Sequence, residues 1–305
     1  MRLFALLLAA AVSAHAAAAE APCNEQCLLR VADQTMAGIA AKDFRRLPWA
    51  DPTRYTEENV PLMIGDGWWG SAGPKVGQKA FAFADPETGN VVWLGTIWDH
   101  DAPAFGAVRI NAPDGKIREL EVIAARKPLP VPFGDPTHFT IPETMTAPLP
   151  AAARRSPERL VDIANSYLST KQRNNGALFA DFAPNCTMAE NGVPITSAEA
   201  NGEPTARDCA SVFKEGWFAP VERIRDRRFP VVDPARGLVL AISIQDLPAD
   251  DTSLIVAGGH KVALKRDAPM SRLVAELLRI EGDTVVRSEA VVASLPYRMP
   301  SPWHP

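Results

Sequence analysis

Tyr55-Thr56-Glu57-Glu58-Asn59-Val60 and Thr187-Met188-Ala189-Glu190-Asn191-Gly192-Val193 are the two stretches that decide the fold. Each reads as a short strand running into a tight turn, with Glu58-Asn59 set against Glu190-Asn191 as counterparts. Each also follows a helical pattern. Apolar positions 28, 31/32, 35/36 and 39 precede the first stretch. Leu160, Ile163/Ala164 and Tyr167/Leu168 precede the second, where Ser156-Pro157-Glu158 supplies an N-cap and a proline in the first turn. Downstream markers recur in the same order. Gly67-Trp68 answers to Gly216-Trp217, and Asp85-Pro86-Glu87-Thr88-Gly89 to Asp233-Pro234-Ala235-Arg236-Gly237. Strand 91–99 answers to 238–246, and the hairpin at Pro113-Asp114-Gly115 to the one at Glu281-Gly282-Asp283. The closing strands carry Glu121 and Glu289 at matching places. This shared order predicts a tandem duplication.

The rest of the chain is consistent with two exported domains. Its 305 residues, 47% hydrophobic and 22% charged, exclude disorder, collagen and coiled coil. Net charge is −4 with no long Lys/Arg run, so nucleic acid is not an expected partner. Arg2, the apolar run Leu3–Val12 and small residues up to Ala19 read as a cleavable leader over 1–19. No later stretch is apolar for long enough to cross a membrane, so the expected location is secreted or periplasmic. The expected divisions are a first domain over 22–127, a Pro-rich strap over 128–155, a second domain over 156–295 and a tail over 296–305. Phe133, Phe139, Ile141 and Met145 are expected to hold the strap against the domains, and Trp303 to dock. Cys23, Cys27, Cys186 and Cys209 form an even set, read as disulfides. Three pairings are possible. Cys23–Cys27 with Cys186–Cys209 is the simplest, and the second bridge would pin an insertion at 197–210.

Helices followed by hairpin-linked strands give an α+β class. In each half the helix, short strand, turn and closing meander resemble the nuclear transport factor 2-like cone, shared with ketosteroid isomerases and SnoaL-like polyketide cyclases. The Cys23/Cys27 opening, Asp85-Pro86-Glu87-Thr88-Gly89, the segment Arg223 to Asp233 and the tail from Pro296 to Trp303 resemble a family of secreted tandem domains of unknown function. The resemblance implies two cones, each with helices packed on a strongly curved antiparallel sheet around a pocket for acid/base chemistry or binding. It also implies a monomer acting as an internal pseudo-dimer, or a homodimer.

Several side chains are candidates for that pocket. A carboxylate at its mouth, Glu190 or its counterpart Glu58, would have a raised pKa and act as general base; the competing reading is a turn residue facing solvent. Period-two alternation puts Glu276 on one face with Val274, Leu278 and Ile280, expected near Glu289 as a proton-shuttling pair. Otherwise these glutamates are structural, held by Arg272, Arg279 or Arg287. On a regular strand Arg223, Arg225 and Arg227 share a face; Arg225 with Asp226 is the expected anion-binding pair, against a salt-bridge network. Trp68, Trp98 and Trp217 are candidate ligand walls, with Trp69 and Trp93 nearby, against a plain core role. Asp99-His100-Asp101 and His260 are the histidine settings of interest, His260 as a lone acid/base. Neither has a second histidine at ligand spacing, and no nucleotide fingerprint is present, so no metal or cofactor is expected. The expectation is cofactor-independent isomerase, lyase or cyclase chemistry on a small apolar or aromatic molecule in the second half. Glu276 or Glu190 would be the base, with Arg225 anchoring negative charge. The alternatives are a non-catalytic binding protein and a structural pseudo-dimer without an open pocket.

Overall fold

The computed structural model describes residues 22–73, 80–127, 133–173, 175–196, 199–200, 203–204, 207–249, 251–256, 260–265 and 268–303. The expected leader, much of the 197–210 insertion and the His260 side chain lie outside the described residues. Asn24 caps the first helix, α1 (Glu25–Ala41), by accepting from the Cys27 backbone N–H at 2.9 Å, and Lys42 ends it in the left-handed region. The first half continues with β1 (Trp49–Glu57), β2 (Val60–Pro61), α2 (Trp68–Ser71), β3 (Phe81–Asp85), β4 (Asn90–Asp99), β5 (Ala102–Asn111) and β6 (Ile117–Ala125). α3 (Glu143–Thr146) lies in the connecting segment. The second half holds α4 (Pro157–Arg173), β7 (Asp181–Glu190), β8 (Val193–Pro194), β9 (Glu199–Ala200), β10 (Glu203–Pro204) and α5 (Cys209–Lys214). It closes with β11 (Arg223–Asp233), β12 (Leu238–Leu247), β13 (Asp251–Val256), β14 (His260–Lys265), β15 (Met270–Glu281) and β16 (Thr284–Leu295).

The first sheet runs β2-β1-β6-β5-β4-β3 and the second β8-β7-β16-β15-β12-β11, the same order strand for strand. The sheets are mixed rather than antiparallel throughout: β1 runs parallel to β6, and β7 to β16. The expected strong curl is also absent, and each is an open six-stranded sheet. One face of each sheet meets its own helix, and the other meets the opposite sheet. Phe83, Val92, Leu94 and Phe105 interlock with Leu238, Leu240, Leu277 and Val291 in a shared core. With both faces covered, neither sheet leaves an open face of its own for a pocket. Phe133, Phe139, Ile141 and Met145 pack on the same core.

The turns fix the correspondence between halves, and they correct it by one residue. A two-residue hairpin of type I′ has positive φ at both central positions. Those positions are Glu58 and Asn59 (φ 42° and 67°) in the first half, and Asn191 and Gly192 (φ 46° and 72°) in the second. Glu57 pairs with Val60, and Glu190 with Val193. The counterpart of Glu190 is therefore Glu57, and that of Glu58 is Asn191. The helices agree in length, 17 residues each, and bury residues at the same steps, so Thr35 corresponds to Tyr167 and Ile39 to Lys171.

Disulfides join Cys23 to Cys27 and Cys186 to Cys209, the second tying β7 to α5. The β13–β14 hairpin extends the β12–β15 connection, where the first half has only a tight turn at His100-Asp101.

Candidate functional site

In the second half, the contact between α4 and the sheet is charged. Lys171 continues the apolar stripe of α4 and is fully buried. Its Nζ lies 3.1 Å from Glu190 Oε1 and 3.3 Å from Glu276 Oε2, above the Phe218 ring. Glu276 Oε1 accepts from the Tyr167 hydroxyl at 2.5 Å and the Ser288 hydroxyl at 2.6 Å. Arg272 stands 3.8 Å from the other oxygen of Glu190. Two cations thus face two carboxylates. Burial opposes charge at Lys171, but Glu276 and Glu190 hold its pKa above the ordinary value. Burial likewise opposes charge at Glu190, where Lys171 and Arg272 prevail and keep the carboxyl low. Burial and then Glu276 push the Tyr167 phenol well up. These groups line neither the cleft at Asp99–Ala104 nor the pocket between Pro86 and Pro234.

The other expected second-half sites disperse. Leu277, not Glu276, stands opposite Glu289, so the two glutamates occupy opposite faces of the sheet. Glu289 accepts from Arg287 Nε at 2.7 Å, while burial raises its carboxyl. Around Asp226 the strand bulges, with φ at 54° and the register shifting between Arg225 and Arg228. The arginines therefore do not share a face. Arg225 binds Asp246 at 2.9 Å, Asp226 at 2.7 Å and the Met299 carbonyl at 2.7 Å. Arg227 turns to α4, reaching Asn165 at 2.9 Å, and Arg228 crosses to Glu121 of the first half at 2.6 Å. Trp217 packs on the second-half core under Arg207. Trp68, Trp69 and Trp93 are first-half core. Trp98 is half-buried on β4, its carbonyl accepting from Trp68 Nε1 at 3.1 Å. No single aromatic wall forms from these residues.

In the first half, charge gathers at the open end of the sheet. Arg126, just past β6, donates to Glu58 at 2.7 Å, to Glu57 at 2.5 Å and to Asp99. The second oxygen of Glu57 accepts from the Tyr55 hydroxyl at 3.0 Å and the Trp68 backbone N–H at 2.6 Å. Glu58 extends the β1–β6 ladder, accepting from the Ala124 N–H at 2.8 Å. One guanidinium faces three carboxylates. Burial, helped by Glu57, pushes the Glu58 carboxyl up to about 7 against the pull of Arg126. Asp99 is the reverse case. Its burial is overcome by hydrogen bonds from Ser71 and Arg126 and by the Arg126 charge, which hold it low. His100, held in the left-handed turn (φ 53°), puts Nδ1 3.1 Å from Asp99 Oδ1.

This cluster borders a cleft of about 880 Å³. Asp99, His100, Asp101 and Arg126 line one side, and Phe133 to Pro136 of the connecting segment line the other. Lys127 lies over the Phe133 ring. The site therefore combines an exposed imidazole, a carboxylate that orients it, an arginine that fixes the carboxylate, and an apolar wall. Among the described residues no group of His, Cys, Asp and Glu is arranged to hold a metal.

Sequence reasoning passed over Tyr167, Lys171, Glu57 and Arg126. For Lys171 a signal exists, since it falls on the next step of the 160/164/167/168 stripe, where an apolar residue belongs. Arg126 gives no such signal, because its partners come from β1 and β4 and only the sheet brings them together.

The fold and site define a mixed α+β chain with two six-stranded sheets and an open polar cleft in its first half. A domain of unknown function (DUF8021) covers residues 153–292, from just before α4 to within β16. A search of curated proteins finds no match.

Proposed function

We propose that the protein is an exported tandem of two nuclear transport factor 2-like halves that works on a small apolar or aromatic molecule by cofactor-independent acid/base chemistry. The helix, hairpin and closing meander of each half support the family attribution, and the repeated strand order supports a duplication. Two disulfides fit an oxidising compartment. The working site in this proposal is the first-half cleft rather than the second half. The observation that carries it is the Asp99–His100 pair on the wall of the one described cleft that also holds Arg126 and Phe133. With Nδ1–H donated to Asp99, His100 keeps Nε2 as the proton acceptor. Arg126 fixes Asp99, and Phe133 offers the apolar face that such a ligand needs.

The test is to incubate the mature protein with an extract of its native surroundings and identify bound compounds by mass spectrometry. A His100→Gln variant is treated in parallel. The expected result is conversion of a compound by the parent and its unchanged retention by the variant. Retention without conversion by both would make the protein a binding protein. Retention by neither would favour the structural pseudo-dimer, for which the interlocked sheets speak.

A further inference from the structure

At the seam between the halves, the indole of Trp303 rests on three guanidinium groups. Arg109 lies 4.6 Å from the ring centroid, Arg54 5.2 Å and Arg228 5.3 Å. Arg54 and Arg109 come from β1 and β5, and Arg228 from β11, so both halves build the seat. Beneath it Glu121 is fully buried, accepting from Arg109 at 2.8 Å and from Arg228 at 2.6 Å. Glu119 takes a second nitrogen of Arg109 at 2.8 Å. Three cations therefore meet two carboxylates, and one positive charge is left over.

Hydrogen bonding leaves a matching remainder. Arg109 is 4% exposed, yet its Nη2 has no acceptor, and neither has the buried Nε of Arg228. The indole supplies a π face but no acceptor oxygen, and its own Nε1 is buried without a partner. The seat thus suits an aromatic ring, and its charge and free donors call for an anion beside it. Trp303 fills only the first requirement. The tail is anchored upstream by the Arg298 N–H on the Ser271 hydroxyl at 2.8 Å, by Arg225 on the Met299 carbonyl at 2.7 Å and by Asn59 on the Pro300 carbonyl at 2.7 Å, while next to the indole Arg54 reaches the Pro302 carbonyl at 3.4 Å.

We propose that the seam under Trp303 is a binding site for a planar aromatic carboxylate, and that the chain's own indole occupies it as a built-in competitor. The ligand's ring replaces the indole, and its carboxylate takes the orphaned N–H groups of Arg109 and Arg228 and the surplus charge. This site is separate from the first-half cleft and does not depend on the chemistry there.

The test uses naphthoate as probe and the neutral naphthamide as control, by calorimetry on the full mature chain. A Trp303→Ala variant should bind naphthoate about tenfold or more tightly than the parent, and naphthamide about tenfold more weakly than naphthoate. Adding Arg54→Gln should erase most of the preference for the anion. A folded Trp303→Ala protein that ignores naphthoate, or takes both probes equally, overturns the proposal. If that variant does not fold, the parent's Trp303 indole N–H resonance decides. Its displacement by saturating naphthoate but not by naphthamide supports the site, and a resonance unmoved by either refutes it.

Discussion

Tyr167, Lys171, Glu276 and Ser288 stand in the second half where the first has Thr35, Ile39, Val108 and Leu120, all buried. The strands and helices around them correspond step for step. An apolar contact is therefore sufficient to hold this helix on this sheet, and the charged version is not required by the fold. The polar ends of the sheets show the opposite contrast. Asn191 uses its amide to accept from the Val292 N–H at 2.8 Å and donate to the Val292 carbonyl at 3.0 Å. Glu58, its counterpart, accepts at both oxygens, from the Ala124 N–H and from Arg126, and it shares Arg126 with two other carboxylates. The second half has balanced charges sealed from water. The first has a surplus of acid beside an open cleft. Charge that is matched and buried is closed to solvent and ligand, whereas unmatched charge at a cleft is available to a proton or a ligand.

The largest effect follows from breaking the balance. Lys171→Ile copies the first half at one position only and leaves Glu190 and Glu276 buried with Arg272 as the remaining cation. Urea denaturation should show a loss of about 3–5 kcal/mol. Copying the whole contact, with Tyr167→Thr, Glu276→Val and Ser288→Leu added, should recover most of that loss. A fourfold variant no more stable than Lys171→Ile alone would mean that the two contacts are not equivalent.

A smaller effect concerns Glu58. Its carboxyl is raised from 4.5 to about 7 in the folded chain, so folding favours the protonated form. That contribution is complete below about pH 4.5 and is lost as pH rises through about 7. Stability should therefore fall across this window, by on the order of 2 kcal/mol after allowance for its partial exposure. Glu58→Asn, which installs the second half's residue in a left-handed position that asparagine tolerates, should flatten the slope. Urea midpoints at the two ends of the window measure it.

Much of this architecture is legible in the sequence because turns and periodicity are local. Asp85-Pro86 and Asp233-Pro234, the paired helices and the paired hairpins mark the two halves without any knowledge of contacts. The one-residue error at Glu58-Asn59 arises where two acidic residues precede the asparagine, and only the φ angles tell which of them begins the turn. Faces are less legible. Alternation places Glu276 correctly beside Leu278 and Ile280, but the relation of Glu276 to Glu289 depends on the β15–β16 register. The bulge at Asp226 defeats alternation outright. Ion-pair partners are the least legible. Arg126 meets Glu57, Glu58 and Asp99 through three separate strands, and no local pattern encodes that meeting.

The contrast between the halves is tested most directly by a carbon-13 NMR titration of the Glu58 and Glu190 carboxyl groups in the same folded sample. Glu58 should take up its proton near pH 7, while Glu190 should remain ionised through the ordinary carboxylate range. Ionisation of Glu58 together with the exposed glutamates, or protonation of Glu190 near neutrality, would contradict the account.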